Sequence, residues 1–309
     1  MSLPSALQAG IARLAEGVSR RPLAERSGRI SEGYRARRTS ASVDTADDVL
    51  AYALSRMPGT FAANEDALER LALRAPDFAP TSLLDLGCGP GTAAWAALEA
   101  FPTIERATLV DSNAHFLGVA RDLAAEHPVL ATADFVSGNL AAPLPGRFDL
   151  VTISYALTEL ADPAAAIARI WESCSGVLLL VEPGTPRDHE RLMAVRARLI
   201  EQGAAIAAPC PHHAPCPVTA PDWCHFTVRL SRTRDHMRMK GGTLGYEDEK
   251  FSYLAAARPE VLLDPPQPRI LARPAETKFD LTLKLCEPDG TLAHRKVATG
   301  HILTGQPGN

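Results

Sequence analysis

Near the end of its first third the chain reads Leu83-Leu84-Asp85-Leu86-Gly87-Cys88-Gly89-Pro90-Gly91. An apolar run closing on an acid is the pattern of a short buried strand, and glycines at alternate positions let the chain turn tightly into the alanine-rich segment 92–100. A strand, a glycine loop and a helix in that order belong at the carboxyl edge of an open α/β sheet. There the backbone can approach a nucleotide-like ligand, and helix N–H groups point at it. A chain of 309 residues that is 46% hydrophobic can bury such a sheet on both faces. The apolar runs are too short to span a membrane, so a globular protein is expected and a membrane is not an expected partner.

From residue 82 onward the pattern alternates between strand and helix. Strands are expected at 82–86, 106–110, 134–137, 148–154 and 177–182, with helices at 92–101, 114–126, 163–173 and 188–202 between and after them. Short connections between such elements imply a parallel, doubly wound sheet. After Gly203 the rhythm breaks. Residues 204–222 are rich in Pro, His and Cys and are expected to be irregular; short strands are expected at 226–230 and 251–257, and a hairpin at 279–286 and 291–299 turns through Glu287-Pro288-Asp289-Gly290. Three regions follow: a helical 1–80, a Rossmann-like core over 81–203, and a cysteine segment with strands over 204–309.

In the first region, residues 7–18 have the spacing of an amphipathic helix. Glu16, Glu25 and Glu32 favour a folded helix over an acid-poor mitochondrial presequence. Asp44 to Asp48 supply an N-terminal cap for a helix over 49–56, which ends at Met57-Pro58-Gly59, and Asn64-Glu65-Asp66 opens another through Arg74. Arginines crowd the stretch between the first helices, among them Arg35, Arg37 and Arg38. A second basic set, Arg229, Arg232, Arg234, Arg238 and Lys240, lies past residue 225. Each set reads either as a solvated face or as a phosphate-contacting surface on a chain whose net charge is −4.

The glycine loop, the acid before it, and Asp111 about 20 residues past Gly91 resemble the class I S-adenosylmethionine-dependent methyltransferases, whose loop is Asp/Glu-x-Gly-x-Gly-x-Gly. That resemblance implies S-adenosylmethionine as cofactor. Asp85, Gly87, Gly89 and Gly91 then belong to its loop, Asp111 to the ribose, and Gly138 with Asn139 to the adenine. A nicotinamide cofactor is the competing ligand, but the third glycine comes too early for Gly-x-Gly-x-x-Gly. No Asn-Pro-Pro-aromatic tetrad follows the strand 148–154, and the polar groups at its exit are Tyr155 and Glu159. They are the candidate catalytic residues.

The rarest feature is the run Pro209-Cys210-Pro211-His212-His213-Ala214-Pro215-Cys216-Pro217, followed by Asp222-Trp223-Cys224-His225. Three of the six cysteines fall within fifteen residues, held open by prolines, and Cys286 ends a predicted strand. With no secretory signal the cysteines read as free thiols of a reducing cytoplasm rather than a disulfide framework. Gaps of five and seven residues exceed the usual spacing of structural zinc ligands and suit an iron–sulfur cluster. Zinc held by cysteines with His212, His213 or His225 is the alternative.

Taken together, Ser31-Glu32-Gly33-Tyr34-Arg35, residues 51–58, Asp85 to Gly91, residues 154–160, Val181-Glu182-Pro183-Gly184, the cysteine run and Lys250-Phe251-Ser252-Tyr253 resemble the family of mitochondrial small-ribosomal-subunit methyltransferase-like proteins and their bacterial relatives. The resemblance implies a [4Fe-4S] cluster on Cys210, Cys216, Cys224 and Cys286, and association with the small ribosomal subunit and its rRNA, with no role for DNA. It implies a protein monomeric apart from the ribosome, in the cytoplasm of a bacterium or the mitochondrial matrix of a eukaryote. Two other readings stand beside it: a non-catalytic RNA-binding assembly factor, and a small-molecule methyltransferase with a structural zinc.

Overall fold

The structure is a computed structural model, and it describes residues 2–35, 43–140, 146–160 and 162–298. Four helices come first: α1 (Ser5–Leu14), α2 (Arg20–Arg35), α3 (Ala46–Ser55) and α4 (Met57–Arg74). Then β1 (Ser82–Leu86), α5 (Thr92–Ala100), β2 (Arg106–Asp111), α6 (Ala114–Ala124), β3 (Asp134–Ser137), β4 (Phe148–Ser154), α7 (Pro163–Glu172), β5 (Cys174–Pro183) and α8 (Pro186–Glu201) alternate. The remainder comprises β6 (Ala205–Ala208), β7 (Phe226–Ser231), α9 (Arg234–Lys240), β8 (Tyr246–Ala257), β9 (Arg269–Ile270), β10 (Ala275–Glu276), β11 (Asp280–Cys286) and β12 (Leu292–Ala298).

The main sheet runs β3-β2-β1-β4-β5-β8-β6, with β7 also paired to β8. Its first five strands are parallel, and β8 lies antiparallel against β5. This is a Rossmann-like, doubly wound α/β fold with an antiparallel strand added at one side. Alternate strand residues serve two cores, because neighbouring side chains in a strand point to opposite faces. Leu83, Leu109, Leu150, Leu179 and Val181 join a core with α1, α3, α4, α5 and α6, while Leu84, Val151, Ile153, Leu178 and Leu180 join one with α7 and α8. Strands β9 to β12 form a separate small sheet over Ile270, Leu283 and Leu285.

Two expectations are corrected, and the conformation of the arginine-rich stretch is defined. The helix expected to open at Asn64 begins at Met57: Pro58 is tolerated in a first helical turn, and Phe61, Leu68 and Leu71 continue one buried stripe. The arginine-rich stretch is helical through Arg35, since Leu23 and Ile30 are buried two turns apart and Arg26 pairs with Asp48 at 2.7 Å. Within the segment expected to be irregular, residues 205–208 form β6, which pairs with the far end of β8. Their Ala-Ile-Ala-Ala sequence carries little strand propensity, and the open edge of β8 overrides it.

At the amino edge of the sheet, Asp149 ties β4 to the start of β1. One carboxylate oxygen accepts from Thr81 N (2.9 Å), Thr81 Oγ1 (2.9 Å), Ser82 N (3.2 Å) and Ser82 Oγ (2.9 Å), and the other accepts from Ser175 Oγ at 3.2 Å. Burial opposes the charge, but these hydrogen bonds outweigh it and hold the carboxyl below its usual range. Asp149→Ala is expected to cost about 2–3 kcal/mol in urea melts at neutral pH. With a depressed folded-state pKa, the stabilisation is present above the unfolded pKa and disappears as pH falls through the folded one. A loss unchanged by acidification contradicts this role.

Candidate functional site

The first site is the glycine-loop cleft at the carboxyl ends of β1, β2 and β4. Gly87 has φ 66° because the loop after β4 passes close by: an added Cβ would stand 2.6 Å from the Ala156 Cβ. Gly87 N and Cys88 N both donate to Val110 O, at 2.8 and 3.0 Å. Gly91, at φ 85°, is the N-cap of α5. The loop is therefore shaped by β1, β2 and the β4 exit together.

Asp111, at the end of β2, accepts from Gly89 N and from Asn113 N, each at 2.8 Å, and burial pushes its carboxyl up. Gly87, Asp111, Gly138, Asn139, Ala156 and Glu159 contribute to the walls of a cleft of about 290 Å³. Four of the sequence-derived cofactor residues thus meet there, with Glu159 beside them. Asp85 is wholly buried and turned inward, accepting from Thr152 Oγ1 (2.8 Å) and Ala94 N (3.2 Å). Burial pushes it up to about 7, against the pull of these hydrogen bonds. It braces the loop against α5 and β4.

Tyr155 departs from ordinary backbone, with φ 57°. Its N–H donates to Val181 O at 2.7 Å, and its hydroxyl donates to Glu249 Oε1 at 3.0 Å. Arg56 Nη2 lies 4.0 Å from the same oxygen. Burial, then the Glu249 charge, raises the phenol well above its ordinary pKa, so Tyr155 serves as a donor and a wedge rather than a base. The left-handed turn at Tyr155 directs the chain into the 157–159 turn that walls the cleft.

Sequence reasoning missed the role of Glu182. It is fully buried in β5, accepts Leu157 N at 3.0 Å, and lies 3.7 Å from Arg191. It thus anchors the wall after β4 to β5. The available signal was an acid closing the otherwise apolar run 177–181. Val181, Glu182 and Pro183 pair with Tyr253, Ser252 and Phe251, so two stretches far apart in sequence are neighbours in the sheet.

The second site is the cysteine loop. It leaves the sheet after β6 and returns at β7, at the place where β8 passes from one partner to the other. Ser252 Oγ donates to Cys224 O (3.0 Å) and Trp223 Nε1 to Gly184 O (3.0 Å), fastening the loop to β8 and to the end of β5. All six cysteines are free thiols. Cys286 pairs with Arg269 across β11 and β9, which brings it to the loop, and its Sγ lies 3.3 Å from His212 Nε2. His212 Nδ1 faces Ala214 O at 3.1 Å, so the tautomer that donates there leaves the Nε2 lone pair toward Cys286.

Burial pushes Cys224 up to about 11 and Cys286 up to about 12. The charges of the other loop cysteines push each further up, and the Arg269 cation opposes this. Four soft donors of this kind beside buried arginines suit a thiolate-held metal group. Among the described residues, no three His, Cys, Asp or Glu side chains close around a single metal-ion position.

The basic residues are distributed over adjacent elements. Arg229 pairs with Asp248 (2.7 Å), Arg232 with Glu247 (3.0 Å), Lys240 also with Glu247, and Arg238 approaches Asp235 at 3.9 Å. Arg234 and Arg238 are exposed on α9, which the Arg20–Asp235 pair (3.1 Å) ties to α2. Arg35 ends α2, and Arg37 and Arg38 lie outside the described residues.

Comparison with known proteins adds three kinds of finding. A sequence model of the family described as "Mitochondrial small ribosomal subunit Rsm22" matches residues 46–305. The chain is 28% identical over 263 residues to the mitochondrial ribosome assembly protein METTL17 of Homo sapiens, covering 79% of this chain and 56% of the relative. It is 33% identical over 157 residues to the ubiquinone/menaquinone biosynthesis C-methyltransferase UbiE of Methylobacterium nodulans, covering 50% and 58%. It thus spans somewhat over half the length of these two curated relatives. Among solved structures, magnesium protoporphyrin IX methyltransferase (ChlM) from Synechocystis PCC 6803 with bound SAM aligns at a TM-score of 0.42 and 18% identity, over 74% of this chain and 90% of that one.

Glu182 yields a test of the wall it supports. Burial pushes its carboxyl up to about 8, so the folded chain retains a proton that the unfolded chain has released. The residue's contribution to stability therefore falls as pH rises from about 5 to 8, by at most about 1.4 kcal/mol per pH unit. Glu182→Gln is expected to flatten that decline in urea melts across the window. A variant with the wild-type slope contradicts the assignment.

Proposed function

From the premise that this chain belongs to the Rsm22 family, whose sequence model covers residues 46–305, we propose that it acts in assembly or modification of the small ribosomal subunit, and so in translation. In this reading it carries S-adenosylmethionine in the glycine-loop cleft and a [4Fe-4S] cluster on Cys210, Cys216, Cys224 and Cys286. The observation that carries the reading is the attachment of both sites to one sheet: the cleft lies at the ends of β1, β2 and β4, and the cysteine loop runs from β6 to β7, both paired with β8, two strands beyond β4. The human relative's name, ribosome assembly protein, supports the same assignment.

For the cofactor, Gly87 and Gly138 keep the cleft wall thin, Asp111 supplies acceptor oxygens suited to ribose hydroxyls, and Asn139 supplies amide groups suited to adenine. For RNA, the exposed Arg234 and Arg238 on α9 are the proposed phosphate contacts, with Arg229, Arg232 and Lys240 on the neighbouring elements and the sequence-derived Arg35, Arg37 and Arg38 as further candidates. No helix among the described residues is long and apolar enough to cross a membrane. The expected setting is the cytoplasm of a bacterium or the matrix of a mitochondrion, with the protein monomeric apart from the ribosome.

A second reading, a non-catalytic RNA-binding assembly factor, is favoured by one observation. Tyr155 is partly buried with its hydroxyl on Glu249, which argues against one of the two sequence-derived catalytic candidates and leaves Glu159 at the cleft. Methyl transfer from labelled S-adenosylmethionine to immature small-subunit particles separates the two. Label in the rRNA supports the enzyme, and binding without label supports the assembly factor.

Co-sedimentation with the same particles tests the shared claim. Arg234→Glu with Arg238→Glu is expected to weaken it and to lower the salt dependence by about one unit of log–log slope per lost phosphate contact. Binding indifferent to salt and to both substitutions contradicts the RNA surface. Anaerobically purified protein is expected to contain iron and sulfide in equal amounts, whereas a colourless, zinc-only protein contradicts the cluster.

A further inference from the structure

Two arginines are buried beside the cysteine loop, and neither is used by the fold in the ordinary way. Arg269 is 5% exposed and Arg196 is 3% exposed. Neither has a carboxylate partner among the ion pairs of the described residues, although buried guanidiniums are costly without compensating charge.

Arg269 is held from several sides. Its Nη1 donates to Cys224 Sγ at 2.5 Å and its Nη2 to His225 O at 3.2 Å, while its guanidinium carbon lies 3.7 Å from the centre of the Phe226 ring. On β9 it stands opposite Cys286. Arg196, on α8, donates from Nη2 to His212 O at 2.6 Å. His212 in turn contacts Cys286. The two cations therefore reach Cys224 directly and Cys286 through one residue. The Nε–H of each has no partner.

Thiols in their protonated form do not explain two buried positive charges. A group held by four thiolates does. Four thiolates around a dipositive iron–sulfide core leave two negative charges, which two guanidiniums balance. A zinc ion held by three thiolates and a neutral histidine leaves only one. We propose that Arg196 and Arg269 are positioning residues that neutralise a doubly negative, four-thiolate metal group on Cys210, Cys216, Cys224 and Cys286. The proposal rests on the cysteine-site assignment made above, and it adds what sets that site's charge and, for a cluster, its reduction potential. Reducing the cluster adds one electron and one further negative charge, which nearby cations favour, as does an N–H donor on a ligating sulfur.

The test uses the full chain, purified anaerobically, with Arg269→Gln, Arg196→Gln and the charge-retaining Arg269→Lys. Iron, sulfide and zinc are assayed on each before a potential is measured by a redox titration followed by electron paramagnetic resonance. Where iron and sulfide are present, both glutamine variants are expected to shift the potential to more negative values, and Arg269→Lys to stay nearer the wild type. An unmoved potential in the glutamine variants overturns the proposal, as does a lysine variant shifted as far as the glutamine one. If Arg269→Gln does not fold, the Arg196→Gln and Arg269→Lys comparisons still decide. Should the wild type hold zinc, the cluster reading fails while the arginine proposal is read from zinc release to a chelator. Release at least tenfold faster in the glutamine variants supports it, and equal rates overturn it. Wild-type protein with no metal at all overturns both.

Discussion

The antiparallel pairing of β8 with β5 is the constraint on which both sites depend. Seven residue pairs, from Val177 with Ala257 to Pro183 with Phe251, add an antiparallel strand to a parallel sheet. The outer edge of β8 is then divided: β6 takes its end near Ala257 and β7 its beginning near Tyr246. The chain between those strands must leave the sheet and come back, and that excursion carries Cys210, Cys216 and Cys224. Where β5 and β8 meet the loop the approach is close, since a Cβ on Gly184 would stand 2.8 Å from Phe251 N. The inner edge of β5 faces the other site, through Glu182 on Leu157 N and Val181 O on Tyr155 N. One strand thus supports the cleft wall on one side and, through β8, the cysteine loop on the other.

The packing energetics follow that arrangement. Leu178 and Leu180 on one face of β5, and Leu179 and Val181 on the other, are wholly buried in opposite cores. Burying aliphatic side chains of this size contributes about 1.5–3 kcal/mol each. Several polar groups inserted among them are matched: Asp85 with Thr152 and Ala94, Glu182 Oε1 with Leu157, Tyr155 with Glu249. Each links the loop of one strand to its neighbour, and together they hold the carboxyl edge of the sheet in register.

Much of this was legible from residue order alone. The strands 82–86 and 148–154 have the boundaries their apolar runs imply, and the hairpin turning through Asp289-Gly290 forms as its alternation requires. The meeting of Gly87, Asp111, Gly138 and Asn139 in one cleft follows from strand spacing, because each lies at or just past a strand end. What was not legible depends on partners distant in sequence. Residues 205–208 have no strand pattern of their own and become β6 only against β8. The inward turn of Asp85 depends on Thr152, 67 residues away, and the burial of Arg269 beside Cys224 spans 45. Tyr155 read as a catalytic candidate because its position at a strand exit is local information, whereas its engagement by Glu249 is not.

The central claim is that the cleft between the glycine loop and the β4 exit holds an adenosyl cofactor in the presence of an intact cysteine site. Calorimetric titration of S-adenosylhomocysteine into the anaerobically purified full chain measures this most directly. The account predicts saturable binding of one molecule per chain, lost when the Asp111 carboxylate is removed by Asp111→Ala in a variant that still melts cooperatively. Absence of saturable binding to the wild type, or binding unchanged by that substitution, contradicts it.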